Sequence, residues 1–141
     1  MRAPDPFHVY RFRVEFDGVQ QGGFSRVRGL ARETQIESRR EGGVNDFEYK
    51  LVTQTTYGNV TLERGLVSDY LWGWHEAVVN GRVERRQVTL TLQDRTGTEV
   101  WRWLLLAAFP VKWAGGDLDA SSGQVLVETV ELAHHGIKRF A

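Results

Sequence analysis

Apolar and polar residues alternate with period two through most of this chain, which predicts half-buried strands rather than helices. From His8 to Asp17, Tyr10, Phe12, Val14 and Phe16 share one face while Arg11, Arg13 and Glu15 share the other, and Asp17-Gly18 closes the strand with a turn signal. The next piece, Val19 to Leu30, carries the paired glycines Gly22-Gly23, which predict a bulge or close backbone approach, and it is expected to pair with the first strand. From Glu33 to Arg40 one face is almost wholly polar. Thr34, Ile36 and Ser38 oppose Glu33, Gln35, Glu37 and Arg39. A solvent-washed surface is the ordinary meaning of such a strand, and a wet channel wall is the alternative. Beyond Gly42-Gly43, Phe47, Tyr49 and Leu51 alternate with Glu48, Lys50 and Val52, and Tyr57-Gly58-Asn59 turns the chain into V-T-L-E-R-G.

One helix is predicted. Ser68 or Asp69 is a suitable N-cap, Y-L-W-G-W-H-E-A-V-V follows, and Asn80-Gly81 is a stop. Leu71, Trp74 and Val78 fall at helical spacing as its buried stripe, and the helix is expected to cover a sheet edge or an open barrel end. Strands then resume. Val88, Leu90 and Leu92 alternate with Gln87, Thr89, Thr91 and Gln93, whereas Trp103 to Phe109 is apolar on both faces, so a helix or a second subunit must cover its other side. In the last strand Leu126, Val130 and Leu132 oppose Val127, Thr129 and Glu131.

The long polar excursion from Arg39 to Leu66 is the oddity of this pattern. Each ordered backbone residue costs roughly 1–2 kcal/mol, and few apolar side chains here repay it. We read the stretch as an arm, at about residues 40–60, that meets another copy of the same chain. The expected fold class is mainly β, an antiparallel β-barrel or two-sheet sandwich with one flanking α-helix, forming a single domain over residues 1–141.

Composition narrows the chemistry. Zero cysteines exclude disulfides and thiolate metal sites, and 18 basic against 18 acidic residues leave no net field to draw nucleic acid or an anionic membrane. The start, M-R-A-P-D-P-F-H, lacks an apolar segment of signal-peptide type, and no run approaches the ~20 apolar residues of a membrane helix. A soluble chain is expected, exported if at all by another route. His134 and His135 are adjacent and point to opposite faces of a strand, so they do not share one metal, and Glu128 and Glu131 are likewise separated as an acid and base pair. His8 and His75 stand without a ligand set. Ser25 and Ser121-Ser122 lack a nucleophile-elbow setting, and the paired glycines lack the Lys-Ser/Thr of a phosphate loop. No catalytic residue, metal site or cofactor is expected. Five tryptophans permit a ligand platform for sugars or bases, but packing in the core or a subunit seam is favoured, with Leu71, Trp74, Trp101 and Trp103 in that role.

Several phrases, in order from Phe7 to Ile137, resemble the tail-tube family of contractile phages and the related extracellular contractile injection systems: G-G-F-S-R-V-R-G-L, R-E-G-G-V-N-D-F-E-Y-K-L, V-T-L-E-R-G-L, D-Y-L-W-G-W-H-E-A-V-V-N-G, V-T-L-T-L-Q-D, F-P-V-K-W-A-G-G-D-L-D-A and V-E-T-V-E-L-A-H-H-G. The resemblance implies a tail-tube-like subunit that self-assembles into homo-hexameric rings, which stack into a hollow conduit. It also implies sheath, baseplate and tape-measure partners, no membrane in the resting state, and protein or DNA as passing cargo. Assembly in the bacterial cytoplasm is implied, as part of a phage tail or a released injection particle. On this resemblance Glu41, Asn45, Asp46 and Lys50 make inter-ring contacts, and Glu33, Gln35, Glu37, Gln87, Thr89, Thr91 and Thr129 face the lumen. A baseplate tube-initiator and a small β-barrel ligand-binding module are the alternatives.

Overall fold

The structure, a computed structural model, describes residues 11–39, 48–64, 69–121, 123 and 126–140. Within them the chain runs β1 (Arg11–Phe16), β2 (Val19–Phe24), β3 (Arg26–Arg28), β4 (Arg32–Arg39), β5 (Tyr49–Tyr57), β6 (Val60–Arg64), α1 (Asp69–Val79), β7 (Arg86–Gln93), β8 (Glu99–Gly115), β9 (Glu128–Ala133) and β10 (Ile137–Phe140). Every ladder is antiparallel.

The main sheet has the order β2-β1-β7-β8-β9-β6-β3, with β10 paired to β8. Its two ends, β2 and β3, are separated in sequence by Ser25 alone, whose N–H donates to the Glu63 carbonyl at 2.9 Å while its hydroxyl donates to the same oxygen at 3.2 Å. The sheet therefore returns on itself through the chain. The result is a barrel-like sandwich. The bulge expected near Gly22-Gly23 is present: Arg13 faces Gly23 and Glu15 faces Gln20, so β2 carries one extra residue.

β8 is the shared wall. Its first half pairs with β7 on one edge and β10 on the other, and its second half pairs with β9. Between the halves an extra residue sits opposite the Arg86–Val88 step, and Ala107 there adopts φ 51°. The bend is fixed by two bonds, Leu106 N–H to the Gly136 carbonyl at 2.9 Å and His135 N–H to the Leu106 carbonyl at 2.8 Å. Bending lets one strand contribute to both layers. Val14, Phe16, Val88, Leu90 and Leu105 from one layer meet Val60, Leu62, Val130 and Leu132 from the other in a single buried cluster. Burying each such side chain stabilises the fold by about 1.5–3 kcal/mol.

The helix settles what covers the doubly apolar stretch of β8. It packs on that strand, with Leu71 and Trp74 in the core cluster and Trp72 edge-on to Trp113. Ala77, rather than the expected Val78, completes the buried stripe, because the spacing 71, 74, 77 follows the inward face and leaves Val78 at its margin. The helix ends as read. Gly81, at φ 88°, and Arg82 donate back to the carbonyls of Val78 and Ala77, an αL cap that satisfies the last turn. The Trp74 indole N–H donates to the Glu84 carbonyl at 2.7 Å, and the Arg86 guanidinium lies 5.1 Å from the Trp74 ring centre and 5.2 Å from that of Tyr70. Burial pushes the Tyr70 phenol above its usual range, against the opposing pull of Arg86.

Thr91 departs from the simple alternation. It lies on the polar side of β7 but is only 1% exposed, flanked in register by the long side chains of Arg13 on β1 and Arg102 on β8.

The bend makes a test. Ala107→Val places a β-branched residue at positive φ, so we expect a loss of roughly 1–3 kcal/mol in denaturant unfolding, with Ala107→Gly tolerated. Equal stability of the two variants would show that the bend does not constrain this backbone.

Candidate assembly interface and channel wall

β4 and β5 pair only with each other. The hairpin begins at Arg32, earlier than the arm expected at about residues 40–60, and overlaps it through β5; it continues the β3–β6 pair, since β3 leads into β4 and β5 into β6 through short turns. Glu41, Asn45 and Asp46 lie outside the described residues, whereas Lys50 is exposed on β5 opposite Ser38. The ladder shifts by one residue at Thr53, so that Gln35 faces Gln54 but Ile36 faces Val52. One face therefore holds Thr34, Ile36, Ser38, Lys50, Val52 and Thr55. The other holds Glu33, Gln35, Glu37, Leu51, Gln54 and Thr56. Apolar side chains are bare on both faces, with Val52 73% and Ile36 54% exposed on one, and Leu51 41% and Tyr49 40% on the other. A lone two-stranded hairpin is marginal in water.

Its root, by contrast, is tightly held. Gly29, at φ 88°, lies so close to Asn59 that a Cβ there would come within 2.1 Å of the Asn59 carbonyl oxygen. Gly58 N–H donates to the Ala31 carbonyl at 3.1 Å, and the Asn59 amide donates to Glu131 at 2.9 Å. His134 completes the clasp. Its Nε2 lies 2.8 Å from the Gly58 carbonyl, which can only accept, while Nδ1 accepts the Gly136 N–H at 3.2 Å, so the ring is held in one neutral tautomer with Tyr57 edge-on beside it. His135 accepts instead from Arg85 at 3.1 Å, so the two histidines separate, although both lie in the turn between β9 and β10 rather than in a strand as expected. The sequence marked both as structural without showing that His134 clasps the arm. Its partner Gly58 is 76 residues away.

The other expected wall residues fall in separate places. Glu33, Gln35 and Glu37 share a hairpin face, as above. Gln87 and Thr89 stand on the outer side of the β1-β7-β8 layer, with Thr91 enclosed beside them. Thr129 stands on the outer side of the β3-β6-β9 layer, in register with Glu63 and Ala114, and this face also carries Arg26, Arg28, Glu131 and Lys112. The two outer sides look away from each other across the shared core. Leu71 and Trp74 are in that core, Trp103 packs half-buried against it, and Trp101 stacks on Trp103 with ring centres 6.5 Å apart. Glu128 is buried and accepts the Trp113 indole N–H at 3.0 Å, a structural use of the carboxylate. Among the described residues no group of three or more His, Asp or Glu is arranged to hold a metal.

The family model of the T4-like virus tail tube protein gp19 matches residues 8–138. The chain belongs to the tail tube family. Its solved relatives include a chain of the anti-feeding prophage baseplate, 29% identical over 100% of this chain and 98% of that one, with a TM-score of 0.77. A chain from the sheath-tube complex of the extracellular contractile injection system PVC, in its extended state, is 26% identical over 98% and 92% of the two chains, with a TM-score of 0.81. Hcp1 from Flavobacterium johnsoniae, at 17% identity, 92% and 94% coverage and a TM-score of 0.56, shares the fold. No curated protein matches the chain. The tail tube family thus accounts for the antiparallel β architecture with the one helix seen among the described residues.

Gly29 tests the clasp. Gly29→Ala should cost more than about 2 kcal/mol, because strain at positive φ adds to the collision with Asn59, whereas Gly18→Ala, also at positive φ but in open space, should cost about 1–2 kcal/mol. Matching losses in chemical unfolding would mean that the root is loose.

Proposed function

We propose that this chain is a non-catalytic structural subunit of the inner tube of a contractile tail or injection particle, assembled as stacked hexameric rings around a lumen. The observation that carries the reading is the β4–β5 hairpin, firmly clasped at its root and bare on both faces, which needs another copy to cover it. Membership of the tail tube family and the likeness to a chain from a sheath-tube complex support the same role, with sheath and baseplate proteins as partners and protein or DNA as cargo. Formation in the bacterial cytoplasm accords with a chain free of cysteine. Among the described residues no helix is long and apolar enough to cross a membrane.

In this reading the lumen wall is the outer side of β3-β6-β9 together with the hairpin that continues it. Glu33, Gln35, Glu37 and Thr129 line the channel, Lys50 and the segment holding Glu41, Asn45 and Asp46 reach the adjacent ring, and Gln87 and Thr89 face outward. Mixed charges on this wall, Arg26 and Arg28 beside Glu63 and Glu131, keep it wetted without a strong hold on cargo of either sign. A second reading, a tube-initiating subunit at the baseplate, is favoured by the 29% identity to a chain of such a baseplate.

Electron microscopy across a concentration series separates these. A tube subunit gives six-fold rings that lengthen into hollow tubes, and an initiator gives single rings. Because Glu33 and Thr56 are partners in register, residues 34–55 can be replaced by an Asn-Gly turn. The shortened chain should keep a cooperative unfolding transition and lose stacking. Tubes of normal length from it would remove the hairpin from the inter-ring contact.

A further inference from the structure

The most exposed large apolar side chain among the described residues is Leu118, at 83%. It sits between Asp117 and Asp119 in the turn that follows β8, and the base of that turn is rigid. Gly115 pairs with Glu128, Gly116 N–H donates to the Val127 carbonyl at 2.7 Å, and Trp113 is fixed to Glu128. The Asp119 carboxylate accepts both the N–H and the hydroxyl of Ser121, at 3.0 and 2.7 Å, which holds its carboxyl below the ordinary range and keeps the knob anionic. An apolar tip flanked by two carboxylates thus stands in solvent on a firm base.

A surface of the opposite character lies at the other half of β8. There a groove of roughly 630 Å³ runs beside β10, with Leu30, Trp103 and Ile137 as its apolar floor and Phe140, turned to the other face with Arg102, at its margin. Its charged lining is Arg32, Lys138 and Arg139, with no carboxylate among the lining residues. Arg139 is steadied by the Trp101 ring, 4.4 Å from its centre. Knob and groove match in charge and in apolar content. They lie before and after the bend of β8, and none of the knob residues lines the groove of its own chain.

We propose that the Asp117-Leu118-Asp119 knob of one copy seats in the groove beside β10 of the next, Leu118 against Trp103 and Ile137, the carboxylates against Arg32, Lys138 and Arg139. This rests on the conduit reading and adds to it a head-to-tail contact. Such a contact uses different surfaces on each copy, so it repeats without a two-fold axis and closes into a ring or continues as a stack.

Complementary charge reversal tests it. Asp117→Lys with Asp119→Lys, and separately Lys138→Glu with Arg139→Glu, alter exposed residues and should leave each chain folded by circular dichroism. Each should raise the concentration needed for assembly by roughly tenfold or more, as expected for lost charge complementarity at an interface. Mixed one to one, the two variants should assemble again, because each knob then meets a groove of opposite sign, and a six-membered ring can alternate them. Assembly of either variant at the wild-type concentration, or failure of the folded mixture to assemble, would overturn the contact while leaving the conduit reading intact. A wild-type chain that stays monomeric throughout would overturn both.

Discussion

Buried backbone groups must be paired, and in this fold that demand converges on β8. A straight strand of that length would pair with one neighbour on each side in a single flat layer and could not enclose a core. The extra residue at the Leu106–Ala107 step turns the strand so that its first half serves β7 and β10 and its second half β9. Everything else follows from the turn. Both layers can bury their apolar faces against each other, the helix has a corner of aromatic side chains to pack on, and the sheet can return to its own start through Ser25.

The hairpin is the counterpart of that economy. The main sheet satisfies most of its own backbone and leaves the β4–β5 pair to project. The root is set by close backbone approach at Gly29 and by the His134 clasp, neither of which depends on apolar burial. The projecting part is therefore aimed by the subunit while its own apolar side chains stay exposed. This division suits assembly, because a partner that covers the hairpin need not first order it at the base.

Much of the fold was legible because period two is unambiguous where one face is buried: β1 buries Val14 and Phe16, β7 Val88 and Leu90, and β9 Val130 and Leu132 as their alternation marks, while Leu92 is half-buried and Leu126 lies exposed before β9; the αL cap of the helix follows from Asn80-Gly81. The misses have physical causes. Val78 and Ala77 both lie near the helical stripe, and only packing chooses between them. Thr91 is buried between arginines on the two neighbouring strands, which no local pattern reveals. β10 is too short to show a period. Alternation also placed Thr89 and Thr129 alike on polar faces without telling that these faces look opposite ways, since that depends on the bend. The His134 clasp and the groove join residues far apart in sequence, so neither had a local signal.

The extra residue at Thr53 has a consequence for how such a chain can vary. Side-chain substitutions along the hairpin change one contact at a time. Deleting Thr53 would instead leave Val52 next to Gln54, so that Gln35 with Gln54 and Ile36 with Val52 pair in one regular ladder and only the bulge is lost. The bulge is thus a place where a one-codon loss is absorbed, and two lineages that differ by that residue would present the same paired side chains to a neighbour with a different local twist.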